Sequence, residues 1–300
     1  MNVRKENWRN CGFKKVQKTI AFTVSVSGIG IHSGKHVTMQ IAPADCGAGI
    51  VFCRTDLHCN NIIPAKFDRV ISTLPMCTAV ANEDGAQVMT IEHLMSAFWG
   101  CEIDNAIVSL NGPEVPIMDG SADYFVQAIQ RAGNVTQSAK RKVIRVLKAV
   151  EVARGDTNIM LSPCAAGNEL SVEFFIDFIN ITVGKQSFVF SADQASFALA
   201  IGKARTFGFI EELTRLREMG LANGASLDNA IAIGADGIMN EGGLRYENEF
   251  VRHKILDCIG DLYLAGARVV CNVKAVKTGH VMNNLVLKKL LSDPESYVIC

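Results

Sequence analysis

No CxxC pair occurs among the ten cysteines, which stand at positions 11, 46, 53, 59, 77, 101, 164, 258, 271 and 300. Without such pairs, the cysteines inside apolar runs such as AFWGCEI and RVVCNV read as buried free thiols of a reducing cytosol. Net charge is also missing: 30 Lys and Arg balance 30 Asp and Glu. No global field draws the chain to nucleic acid or to a membrane surface, so an anionic partner must be held by local groups. No apolar run approaches the roughly 18 residues of a spanning helix, and stable membrane insertion is not expected. The first 18 residues are basic, with Arg4, Lys5, Arg9, Lys14, Lys15 and Lys18 against Glu6, but no apolar stretch of a signal peptide follows. The next segment, TIAFTVSVSGIGI, alternates and breaks at glycines, which reads as a strand. A cytoplasmic location is expected, and low-complexity sequence and long linkers are absent.

What is present is a globular composition, 49% hydrophobic and 20% charged, in 300 residues. That length suits two domains. The best boundary is the polar run GNVTQSAKRKV at 133–143, between helical ADYFVQAIQRAG and strand-like VIRVLKAVEVA. The division reads as an N-terminal extension at 1–14, a first α+β domain at 15–138 and a second at 139–300. An internal echo supports it. IEHLMSAFWGCEIDNAIVSL and VRHKILDCIGDLYLAGARVVCNV each place a glycine seven residues after a histidine and run from a helix into a β-branched strand. A duplicated unit would let two histidines meet face to face.

Six histidines stand at 32, 36, 58, 93, 253 and 280. His36, in alternating SGKHVTMQI, and His58, in polar TDLHCNN, read as surface residues. In HKILD, His253 and Asp257 at i and i+4 share one helix face and can share a cation. A lone HxxxD is more often a surface pair, but here Ile255, Leu256, Cys258, Ile259 and Leu262 leave only a narrow polar stripe, whose members must be paired or coordinated. TIEHL offers His93 as a third ligand, with Thr90 as N-cap and Glu92 as a candidate general base. The competing reading is a capped helix start with an acid favoured by the dipole. His280 lies in a glycine turn of VKTGHVMNN, where Asp261 can hold it as an imidazolium. SGIGIHSGK is GxGxxxG without dinucleotide spacing and reads as a tight hairpin. A cysteine nucleophile at Cys77, Cys101 or Cys258 is disfavoured, because apolar surroundings raise a thiol's pKa.

TIEHL, NGPEVPIMDGSA, ARTFGF, NGASLDNAI, EFVRHKILDCIGDL and KTGH occur in this order over about residues 16–290. The set resembles the UDP-3-O-acyl-N-acetylglucosamine deacetylases, zinc enzymes of the committed step of lipid A synthesis in Gram-negative bacteria. The resemblance implies two similar α+β domains, each a small β-sheet with two α-helices, the helices sandwiched between the sheets. It implies zinc held by His93, His253 and Asp257, Glu92 as general base, and His280 as a charged general acid held by Asp261. Thr206 and Lys254 would lie beside the reacting carbonyl. Phe207, Leu213, Ala222, Ser226 and Leu227 would line an acyl passage and the sugar site, with Ile31, Cys77, Asp228 and Lys277 as further substrate groups. Iron(II) suits the same ligand set. The implied partner is a UDP-acyl-sugar substrate, and a monomer is expected. One departure stands out: Thr157, in ARGDTN, replaces a lysine the family often uses toward the nucleotide, with Arg154 as the candidate substitute. Rival readings are a zinc amidohydrolase of another N-acylated substrate and a non-catalytic binder of nucleotide sugar or acyl chain. Loss of Glu92 or of a ligand would mark the binder, and neither is lost.

Overall fold

The computed structural model describes residues 15–71, 76–192 and 194–300. The expected extension at 1–14, with Cys11, lies outside the described residues. The described residues form a mixed α/β structure with six α-helices and several sheets: α1 (Glu92–Gly100), α2 (Asp123–Ala132), α3 (Phe197–Ala200), α4 (Ile210–Glu218), α5 (Glu249–Tyr263) and α6 (His280–Ser292).

Two larger sheets share one strand order. In the five-stranded sheet, Ala106–Leu110 is central, antiparallel to His36–Pro43 and parallel to Ile50–Arg54, with Val24–Ile29 and Ile62–Pro64 outside them. In the seven-stranded sheet, Arg268–Val276 is central, antiparallel to Thr157–Ser162 and parallel to Leu170–Asp177, with Val150–Arg154 and Lys185–Ser191 outside them. The seven-stranded sheet adds Val143–Val146 and Tyr297–Ile299. Each central strand is the one that follows the helix of an echoed segment, α1 in the first case and α5 in the second.

Side-chain alternation explains how one face of a sheet is buried. In His36–Pro43, Val37, Met39 and Ile41 have no exposed surface, while Thr38 and Gln40 between them face solvent. The helices fill the other side. Helix α1 packs on α2 and α5, α2 reaches strand Val24–Ile29, α5 covers Leu170–Asp177, Lys185–Ser191 and Arg268–Val276, and α6 covers Val150–Arg154 and Thr157–Ser162. Covered on several sides, α1 and α5 are buried almost throughout. Their carboxylates and imidazoles are therefore inside the protein, where each needs a partner. At the far end of α1, the buried Arg141 guanidinium pairs with Asp104 at 2.8 Å and donates to the Glu102 carbonyl at 2.7 Å.

Three sequence expectations change here. TIAFTVSVSGIGI is not one strand. Val16–Ile20 pairs with Asn134–Lys140 and Val24–Ile29 enters the five-stranded sheet, because the N–H groups of Ala21 and Phe22 donate to the Gly133 and Ala132 carbonyls at the end of α2. Thr90 is not an N-cap. Its backbone has φ of +57° and its hydroxyl donates to Glu114 at 2.9 Å. The cysteines are only in part buried free thiols: Cys77, Cys258 and Cys271 are, whereas Cys46 and Cys59 are exposed and Cys300 is disulfide-bonded. The hairpin reading of SGIGIHSGK agrees with the structure, since Ile29 and His36 pair across the loop. His36 and His58 are exposed, as expected.

Candidate active site

Helix α5 crosses α1 closely enough to bring His93 of α1 against His253 and Asp257 of α5. Asp257 Oδ1 lies 3.5 Å from His93 Nε2 and 3.3 Å from His253 Nε2, and one ligand atom from each residue lies within 4.8 Å of the others. All three side chains are buried. His253 Nδ1–H donates to the Ala204 carbonyl at 3.0 Å, which leaves a lone pair on Nε2. Lys254 donates to Asp257 Oδ2 at 2.9 Å, while buried Oδ1 has no hydrogen-bond partner among the described residues. The Nε2 lone pair of His253 and the free Oδ1 of Asp257 therefore converge on the point where His93 Nε2 also arrives.

Electrostatics keep the set ready for a cation. Burial pushes His253 down to about 3, so its imidazole is neutral at neutral pH. Burial also acts to raise Asp257, but the charges beside it hold it well below the usual carboxylate range. With His253 neutral, the nearby Lys254 ammonium and, further off, the charged His280 keep Asp257 ionised. Two imidazoles and a carboxylate are the donor types of catalytic zinc sites. The two spacings around Asp257 Oδ1 match the roughly 3.4 Å between ligands of a tetrahedral site with bonds near 2.1 Å. The residues fit a divalent cation.

A second chain of contacts lies beside this group. Glu92 Oε2 accepts the Thr78 N–H at 3.0 Å, and Glu92 Oε1 stands 3.7 Å from His280 Nε2. His280 Nδ1 bonds Asp261 Oδ2 at 2.9 Å, an oxygen that also accepts from Asn283 at 2.8 Å. The Thr78 hydroxyl donates to the other Asp261 oxygen. Burial raises the Glu92 carboxyl, opposed by His280 and His93. Burial acts to lower His280, but the carboxylates of Asp261 and Glu92 outweigh it and push it up to about 9. His280 is the first residue of α6 instead of a turn residue, with Gly279 as the cap.

Two cavities flank the centre. One, of about 260 Å³, is lined by Glu92, His93 and Thr206 together with Ile31, His32, Phe207, Leu213, Ala222, Ser226 and Leu227. Helix α4 buries none of its residues, so Leu213 and Leu216 face this cavity instead of a core. The other cavity, of about 310 Å³, is lined by Cys77, Thr78, Arg154, His280 and Lys288. Asp228 is exposed and lines neither cavity, and Lys277 is paired with Asp156 at 2.6 Å. The Thr157 hydroxyl turns back onto the Arg154 carbonyl at 2.7 Å. Burial pushes the thiols of Cys77 and Cys258 above their ordinary range and that of Cys101 up to about 12, which leaves none of them a ready nucleophile.

Sequence reasoning missed Thr78, Asn283 and Glu114. Asn283 could have been found, since it lies at i+3 from His280 on one helix and meets the same Asp261 oxygen. Thr78 and Glu114 reach the site from loops, where no spacing announces them.

The model of the LpxC family, UDP-3-O-acyl N-acetylglycosamine deacetylase, matches residues 17–292. The chain belongs to this family. It is 41% identical to the UDP-3-O-acyl-N-acetylglucosamine deacetylase of Pasteurella multocida (strain Pm70), over 94% of this chain and 92% of that one. It is 44% identical to the enzyme of the same name from Myxococcus xanthus (strain DK1622), over 94% and 88%. For that of Geotalea uraniireducens (strain Rf4) the identity is 46%, over 94% and 90%. Membership makes the chain a hydrolytic deacetylase, in agreement with the converging histidines and carboxylates. Among the described residues no helix is long and apolar enough to cross a membrane.

Proposed function

We propose that this chain hydrolyses the N-acetyl group of UDP-3-O-(3-hydroxyacyl)-N-acetylglucosamine, the committed step of lipid A biosynthesis, using one zinc ion held by His93, His253 and Asp257. The observation that carries the reading is the convergence of these three side chains beside Glu92 and His280. Iron(II) fits the same donors. The same reading takes the protein as a cytoplasmic monomer built of a duplicated unit, residues 15–138 and 139–300, with the helices between the two sheets. The shared strand order supports that duplication.

A bound cation supplies Lewis acidity toward a water and the acetyl carbonyl. Glu92 takes the proton of the attacking water through Oε1, since Oε2 is engaged by Thr78. Charged His280 and the Thr206 hydroxyl stabilise the negative charge that develops on the carbonyl oxygen. Asp261, Thr78 and Asn283 fix the His280 ring and its charge. The carbon–nitrogen bond then breaks, the amine takes a proton from His280 or from Glu92, and acetate leaves. Lys254 keeps Asp257 ionised beside the reacting carbonyl. The cavity lined by Phe207, Leu213, Ala222 and Leu227 takes the acyl chain. Arg154 and Lys288 in the second cavity supply positive charge toward the diphosphate in place of a lysine at Thr157, while Lys277 and Asp228 act from outside the cavities.

Purified protein incubated with the UDP-acyl-sugar should release acetate and free amine in equal amounts. Simple N-acetylglucosamine should give neither at a comparable rate. Equal rates on the two would point to an amidohydrolase of another substrate.

A further inference from the structure

His32 is a buried histidine that the proposed reaction does not use, although it lines the same cavity as Glu92, His93 and Thr206. It sits in the loop between strands Val24–Ile29 and His36–Pro43, and that loop is held at several points. Fully buried Glu114 accepts the N–H groups of His32 and Ser33, both at 2.8 Å, as well as the Thr90 hydroxyl. The His32 carbonyl accepts from the backbone N–H and the side-chain amide of Asn223, at 3.2 and 3.0 Å. A Cβ at Gly224 would overlap the Gly30 carbonyl oxygen, so only glycine permits this approach.

Within that frame the ring has one defined role and one open one. His32 Nδ1 stands 3.4 Å from the Ala222 N–H, which has no second proton acceptor to choose, so Nδ1 accepts and the ring proton is on Nε2. Burial lowers the imidazole's pKa below its ordinary value, which keeps this neutral form. No acceptor for Nε2–H is found among the described residues, and Nε2 is not among the buried atoms cut off from the cavity. The wall beside it is largely apolar, with Ile31, Ile117, Phe207 and Ile231. A neutral N–H donor in such a wall costs free energy unless a ligand oxygen meets it. The cavity carries Glu92 and His93 at one part and aliphatic side chains at another. A sugar at the former and an acyl chain along the latter put the linking ester between them.

We propose that His32 is a specificity-determining residue whose Nε2–H donates to the ester carbonyl oxygen of the 3-O-acyl group. The assignment rests on the deacetylase reading above.

The test compares acetate release from the 3-O-acyl ester with that from a 3-O-alkyl ether analogue of equal chain length, which lacks the carbonyl oxygen. Two variants separate the donor from the wall contact. His32→Gln keeps a donor near Nε2 and loses the Ala222 contact. His32→Asn keeps an acceptor near Nδ1 and loses the donor. The wild-type protein should prefer the ester about tenfold in kcat/KM, the size expected for one donor left unmet. His32→Gln should retain the preference and His32→Asn should abolish it, while a merely structural histidine would slow both substrates equally. Equal wild-type rates on ester and ether overturn the proposal even if no variant folds. So does an undiminished preference in His32→Asn. No acetate from either substrate with wild-type protein would overturn the deacetylase reading itself, and this assignment with it.

Discussion

Gly260 of α5 lies against the backbone of Glu92 in α1, so closely that a Cβ at Gly260 would overlap the Glu92 carbonyl oxygen. This contact sets how near the two helices come, and therefore whether Asp257 can reach His93. Alanine normally stabilises a helix interior over glycine by roughly 1 kcal/mol. At this position the sign should reverse, because backbone on the facing helix cannot give way cheaply. Gly260→Ala should destabilise the fold by about 1–3 kcal/mol and lower metal affinity. Thermal unfolding and metal titration measure the two effects. A variant as stable as wild type with full metal content would contradict this account of the crossing.

Glu92 is buried beside the converging side chains of His93, His253 and Asp257 without belonging to that group. Glu92→Gln should therefore keep its metal and lose roughly 10² to 10⁴ in turnover, the usual share of general base catalysis. Metal analysis and acetate release on one preparation check both halves. Near-normal turnover would pass the base role to another group.

The pH profile follows from two shifted groups. Glu92 must be ionised to accept a proton, and burial raises its pKa above the ordinary 4.5. His280 must be charged, and its carboxylate neighbours push it up to about 9. Activity is then present between the two values, lost as pH falls through the Glu92 pKa and lost as pH rises through that of His280. A bound cation lowers both limbs, since positive charge favours the deprotonated forms. His280→Ala should keep its metal, lose most of its turnover and flatten the basic limb of kcat/KM. An unchanged basic limb would remove the histidine from the reaction.

The apolar cavity predicts dependence on the acyl chain. Each methylene it buries contributes about 0.8 kcal/mol, so substrate without the chain should lose orders of magnitude in kcat/KM. Steady-state kinetics on the two substrates decide it. Equal values would separate Phe207, Leu213 and Leu227 from substrate recognition.

The pairing of His253 with Asp257 was legible in sequence because an i, i+4 spacing on a helix with apolar neighbours leaves a narrow polar stripe whose members need partners. Its partner His93 was legible through the echo between the two helices. The shared strand order of the two sheets was not, because it depends on pairings between distant strands. Nor was Thr90 legible: TIEHL has the pattern of a capped helix start, yet the hydroxyl is taken by Glu114, which comes from a loop. Thr78 was hidden for the same reason of long-range closure, since it reaches Asp261 from a loop 183 residues away, whereas Asn283 had a local signal in its i+3 spacing from His280. The ion pair of Lys277 with Asp156 was not legible either, because it joins segments 121 residues apart in the chain.

The central claim is that His93, His253 and Asp257 bind the one metal on which deacetylation depends. Metal content and acetate release, measured together before and after chelation and again after zinc is restored, test it most directly. The account predicts one divalent ion per chain, loss of ion and activity in parallel, recovery with zinc, and an inactive metal-free His93→Ala. Full acetate release from metal-free protein, or full metal occupancy in His93→Ala, would contradict it.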